Sequence, residues 1–201
     1  MKAARFASAV LAVALVCAPL AAQTPSTDAA AQPAGAYVLD TNHSSVIWSL
    51  SYQGIAAYTA RFDKMQAELD FNPANPTASA LSVSIDANSV NTGLASFDPK
   101  VAKEGLGAEK TPQITFSAKE LKTTGENQGT MTGELTMNGV TKPATFAVTF
   151  NGATRNRAGK AMLGFTAETT IKRSEWGSNA WAPVIGDDVT ITVQAVFSQK
   201  G

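Results

Sequence analysis

The feature that most constrains this chain is a period of two in its apolar residues, repeated segment after segment. Val46, Trp48, Leu50 and Tyr52 are interleaved with Ser49 and Ser51, with Ile47 the exception. Met65, Ala67, Leu69 and Phe71 alternate with Gln66, Glu68 and Asp70, and Leu81, Val83 and Ile85 with Ser82, Ser84 and Asp86. Met131, Gly133, Leu135 and Met137 alternate with Thr130, Thr132, Glu134 and Thr136. Val189, Ile191, Val193, Ala195 and Phe197 repeat the pattern near the C-terminus. Successive side chains of a strand point to opposite faces, so this pattern means half-buried antiparallel strands with one dry face and one wet face. Thr on the outer positions suits a pleated surface.

Turn signals separate the segments. Asn138-Gly139 accepts positive φ at both residues and fits a type I′ hairpin joining 129–137 to 140–150. The expected strands are 37–52, 58–62, 64–72, 79–86, 113–121, 129–137, 140–150, 160–172 and 188–199. One helix is expected from Asp98-Pro99, with Asp98 as N-cap and Pro99 in the first position. It would pack Phe97 and Val101 and stop at Gly105 and Gly107. Long strands joined mostly by short turns imply an all-β antiparallel barrel or sandwich. A barrel of about eight strands has an interior just wide enough to be filled by side chains or to hold one slender ligand. The inward set is apolar and aromatic, which suits a hydrocarbon chain and disfavours a polar metabolite.

Composition removes most other chemistries. Sixteen Lys and Arg balance sixteen Asp and Glu, so the clustered basic footprint of a nucleic-acid partner is missing. One His and one Cys do not make a thiolate or imidazole metal site or a CxxC redox pair. No cofactor is expected. Lys2 and Arg5 followed by the apolar run from Phe6 to Ala18 and the small residues to Ala22 read as a secretory signal peptide over 1–22. The run is too short for a comfortable membrane span, so the mature form is expected without one. Its removal takes away Cys17 and leaves 14 cationic against 16 anionic side chains, a net charge of −2. The Ala-, Pro- and Thr-rich stretch 23–36 reads as a disordered linker, and 37–201 as one domain.

Within that domain the motifs resemble the YceI-like, polyisoprenoid-binding family. Tyr37-Val38-Leu39-Asp40 with His43-Ser44 resembles its opening motif, and the run from Gly133 to Pro143, GELTMNGVTKP, its hairpin. Ser89-Val90-x-Thr92, Pro112-Gln113-Ile114-Thr115-Phe116, Gly164-Phe165, the run Ile171 to Gly177 and the run Ile185 to Val189 follow in the family's order. The resemblance covers about 37–199. It implies an eight-stranded lipocalin-like barrel exported to the periplasm, which holds an amphiphilic isoprenoid such as a quinone-like molecule, or a fatty-acid-like ligand, and it implies no common catalytic activity. It leaves a homodimer open.

The candidate ligand-binding residues follow from both readings. Trp48, Tyr52, Phe116 and Phe165 occupy inward positions of different strands, and Tyr58 and Phe62 lie on the neighbouring one. Trp176 and Trp181 fall in the Gly- and Pro-bearing loop 173–187, a natural lid. Tyr52, Tyr58, Arg61 and Arg173 are the candidate polar groups at the mouth. Asp40, His43 and Ser44 have the residue types of a hydrolytic triad, but neighbours in an extended segment face opposite ways and no GxSxG elbow accompanies them. They read as a turn. The competing reading of the domain is a structural or interaction protein whose barrel is filled by its own side chains.

Overall fold

The computed structural model describes residues 24–200; the expected signal peptide, with Cys17, lies outside the described residues. Eleven strand segments follow one another: β1 (Gly35–Leu39), β2 (Ser45–Tyr52), β3 (Ala56–Phe62), β4 (Met65–Phe71), β5 (Ala80–Asp86), β6 (Val90–Asn91), β7 (Gln113–Gly125), β8 (Gln128–Met137), β9 (Val140–Arg155), β10 (Ala161–Lys172) and β11 (Ile185–Gln199). Every pairing is antiparallel, and the ring β1-β4-β5-β7-β8-β9-β10-β11 closes through β1 on β11. This is the eight-stranded barrel that the family resemblance implies, and it decides between the barrel and the sandwich that alternation left open. In β4 the pattern is perfect: Met65, Ala67, Leu69 and Phe71 are buried, and the three residues between them are exposed.

One of the expected strands is broken. The stretch expected as one strand over 37–52 is interrupted after Leu39, whereas the expected separation of 58–62 from 64–72 is present at Asp63-Lys64. The break lets one edge of β11 serve two partners. Leu39 pairs with Phe197 on β1, whereas Val46 pairs with Val193 on β2. Between them the Ser44 hydroxyl enters the ladder, accepting from the Val196 N–H at 3.0 Å and donating to the Asp40 carbonyl at 2.7 Å. A side chain thus replaces a backbone group, and the Val196 N–H keeps a partner. β2 and β3 continue beyond the ring as a hairpin, with β6 on the edge of β3.

The hairpin at Asn138-Gly139 has φ of 51° and 74°, as its residue types require. A short helix (Asp98–Lys100) continues in wider, π-type turns over Val101–Gly105. Its start differs from expectation. Asp98 is not a side-chain cap but accepts from the backbone and hydroxyl of Thr92 at 2.8 and 2.6 Å, tying the helix to the strand before it.

The expected disordered linker 23–36 is a seated segment over its described part. Ser26 and Ala153 exchange backbone hydrogen bonds of 2.8 Å, the Tyr37 hydroxyl donates to the Pro33 carbonyl, and Ala29 packs on a buried cluster containing Tyr37, Phe71, Phe150 and Leu163. Composition alone does not register the free edge that β9 offers past the end of β8.

The chain turns at opposite ends of the barrel. One end carries the β2–β3 and β8–β9 turns, the helix and the loop 173–184. The other carries 72–79, 126–127, 156–160 and the N-terminal segment. At Gly133 a Cβ would collide with the Ser117 carbonyl and the Phe116 ring. Gly133→Ala is therefore expected to lower stability by about 1–3 kcal/mol through overpacking, read as a lower urea midpoint with an unchanged slope.

Candidate functional site

The barrel encloses a tunnel of about 290 Å³. Its walls are the inward residues of the ring strands, and one end is covered by Val101 and Leu106 of the helical segment and by Trp181 of the loop. At the other end it reaches Ser79, Ala80 and Leu121, where β7 has run past its last partner on β5, Ser117 with Ser82. The inward residues of β11, Val189, Ile191, Val193 and Ala195, are only half-buried although they face inward. They pack against the core clusters on one side and border the open space of the tunnel on the other.

The structure divides the sequence-derived candidates. Trp48, Phe62, Phe116, Phe165, Arg173 and Trp181 line the tunnel. Phe116 meets Phe146 edge-on at 5.1 Å, and Phe165 lies between Phe150 and Phe197 at 5.4 and 6.1 Å. Trp181 packs on Phe97 at 6.0 Å, with the Lys100 ammonium 5.9 Å from its ring. The other four stand apart from the tunnel. Tyr58 supports Trp48 from beside it, 6.3 Å between rings. Tyr52, 40% exposed, sits at the hairpin tip and accepts from Gln53. Arg61 faces outward to Asp63 at 2.9 Å. Trp176 is buried, and its Nε1–H donates to the Leu135 carbonyl at 3.0 Å, locking the loop to β8.

Arg173 is the unusual member. It is buried and donates to four backbone carbonyls, of Ser178, Ala180, Ile185 and Gly186, at 2.7 to 3.0 Å. Burial pushes the guanidinium pKa down, opposed by the Asp187 charge. Its planar fork therefore gathers the whole covering loop around one side chain. Asp187 finishes the arrangement by accepting from the Ser174 N–H and hydroxyl at 2.9 and 2.8 Å.

Several lining residues were not singled out from sequence. Val101 and Leu106 lie in the irregular connection between β6 and β7, where no period marks an inward face. Met131, Met137 and Val193 do carry the signal, since they belong to the alternating inward sets.

The Asp40, His43 and Ser44 group is arranged as a turn. His43 Nδ1 lies 2.8 Å from the Asp40 carboxylate, while the Ser44 hydroxyl is committed to backbone on both sides. Carboxylates around the loop form surface pairs, Asp188 with Lys172 at 2.8 Å and Glu175 with Lys142 at 3.7 Å. Among the described residues no group of three or more His, Cys, Asp or Glu could hold a metal ion, and no helix is long and apolar enough to cross a membrane.

With this geometry in hand, the comparison with known proteins is direct. The model of the YceI-like domain matches residues 37–197. The chain belongs to the YceI-like family. A UPF0312 protein of Pseudomonas putida (strain GB-1) is 34% identical over 163 residues, covering 80% of this chain and 85% of its own length. Burkholderia cenocepacia BcnA superposes with a TM-score of 0.70 at 27% identity, covering 79% of this chain and 98% of BcnA. A polyisoprenoid-binding domain from Saccharophagus degradans, implicated in plant cell wall breakdown, shares the fold at a TM-score of 0.62 and 18% identity, covering 84% of this chain and all of that one. The YceI-like match spans β1 to β11, so every wall of the tunnel lies within it.

Two carboxyls give the fold an expected dependence on pH. The hydrogen bond with His43 holds Asp40 below the ordinary Asp value, and the bonds from Ser174 do the same for Asp187. A depressed carboxyl contributes stability that is complete above its unfolded value, near pH 4, and lost as pH falls through the folded value. The urea midpoint is expected to fall below about pH 4, and Asp40→Asn with Asp187→Asn to flatten that limb.

Proposed function

We propose that this protein is a periplasmic lipid-binding protein that sequesters or carries a long-chain polyisoprenoid, quinone-like, or a similar amphiphile in its barrel. The observation that carries the reading is the tunnel itself: open space enclosed by apolar side chains, running from the Trp181 cover to Leu121. An interior filled by its own side chains, as a purely structural protein would have, leaves no such space.

Binding would work by partition. Each buried CH₂ contributes about 0.8 kcal/mol, so affinity rises with chain length without any strong polar contact. The polyisoprenoid-binding domain of the same fold supports an isoprenoid chain as the occupant. The protein holds its ligand and does not transform it, a reading supported by the Ser44 hydroxyl being bound into the β-ladder. The signal-like segment 1–22 supports export, with cleavage after Ala22 releasing the mature form to the periplasm.

Purification of the native protein from its own periplasm, solvent extraction and mass spectrometry are expected to yield an isoprenoid-sized lipid in near-stoichiometric amount. A ligand-free extract would sink the carrier reading in favour of the structural one. Trp48→Asp places a carboxylate against the tunnel and is expected to abolish ligand retention in protein shown to be folded by circular dichroism.

A further inference from the structure

We propose that the Trp48 indole is the tunnel's hydrogen-bond donor to a neutral oxygen of the bound molecule, a carbonyl, hydroxyl or ether on an otherwise hydrocarbon chain. The inference rests on the carrier reading above and adds the ligand's chemical class. Trp48 lines the tunnel and is 9% exposed. Its Nε1 is the buried side-chain polar atom without a hydrogen-bond partner among the described residues. Buried indole N–H groups ordinarily find an acceptor, and Trp176 of this same barrel does so at Leu135.

The surroundings of Trp48 offer no substitute. Across the ladder stand Ile191 on β11 and Ala60 on β3, and Val46 and Leu50 flank it on the same face of β2. The neighbouring Tyr58 meets it ring against ring. A water held there needs two or more polar partners, and Ile191, Ala60, Val46 and Leu50 supply apolar side chains. A molecule filling the tunnel can bring the acceptor with it.

The acceptor is neutral for an electrostatic reason. A carboxylate or phosphate beside Trp48 would be a buried charge with one N–H to compensate it, which is unfavourable. The cation on the tunnel wall, Arg173, already spends four of its five N–H donors on lid carbonyls. Nε1 has almost no accessible surface, so the oxygen reaches it as the walls part around the ligand.

The test uses two probes of equal length, geranylgeranylacetone and the hydrocarbon in which its carbonyl is replaced by a methylene. Each is titrated into the delipidated protein and into Trp48→Phe, with circular dichroism as the check on folding. The preference for ketone over hydrocarbon is expected to be about tenfold larger in the wild type than in Trp48→Phe, because any change in the apolar wall affects both probes alike. In the ¹⁵N-labelled wild type the Trp48 indole N–H signal is expected to move downfield with the ketone and not with the hydrocarbon. Equal preference in both proteins, or an indole signal indifferent to the carbonyl, would overturn the inference while leaving the carrier reading intact. Failure of both probes to bind the folded wild type would overturn the carrier reading and this inference with it.

Discussion

One edge of β11 holds the molecule together. Its C-terminal half pairs with β1 and its N-terminal half with β2, and the Ser44 hydroxyl carries the ladder across the gap between them. Pairing with β1 closes the ring, and pairing with β2 extends the wall past the ring toward the covering loop. Because backbone groups are satisfied within the wall itself, the interior owes nothing to polar partners. It can be lined with hydrocarbon and left open.

That arrangement separates two tasks. The wall is built from ladders and alternation, whereas the cover is built from side-chain contacts to backbone. Arg173 gathers four carbonyls of the loop, Asp187 fixes its first turn and Trp176 binds it to β8. A cationic side chain at the end of an oily tunnel looks like a ligand anchor from sequence, yet its hydrogen bonds run into the loop. Trp181 then fits between loop and helix, close to Gly105, where a side chain would touch its ring.

Much of this was legible in the residues. Alternation located the strands of the wall, the Asn138-Gly139 pair located a hairpin, and inward residues such as Trp48, Phe116 and Phe165 do line the tunnel. What escaped detection has a physical reason in each case. The break after Leu39 depends on a serine hydroxyl standing in for a peptide group, a substitution without periodicity. Arg61 keeps the strand's alternation and so lies outside, paired with Asp63, although its neighbour Phe62 lies within. Val101 and Leu106 reach the tunnel from irregular turns, where inward and outward residues follow no rule.

The segment before β1 shows the same economy on the outer surface. β9 runs on past its last partner on β8, Thr149 with Gln128, and beyond that point its edge would present bare peptide groups. Ser26 occupies that edge at Ala153. An unpaired strand edge is a template for another chain, and proteins that persist at high concentration keep such edges covered. The proline-bearing segment thus occupies, with the protein's own chain, an edge on which a neighbour's strand would otherwise find a template.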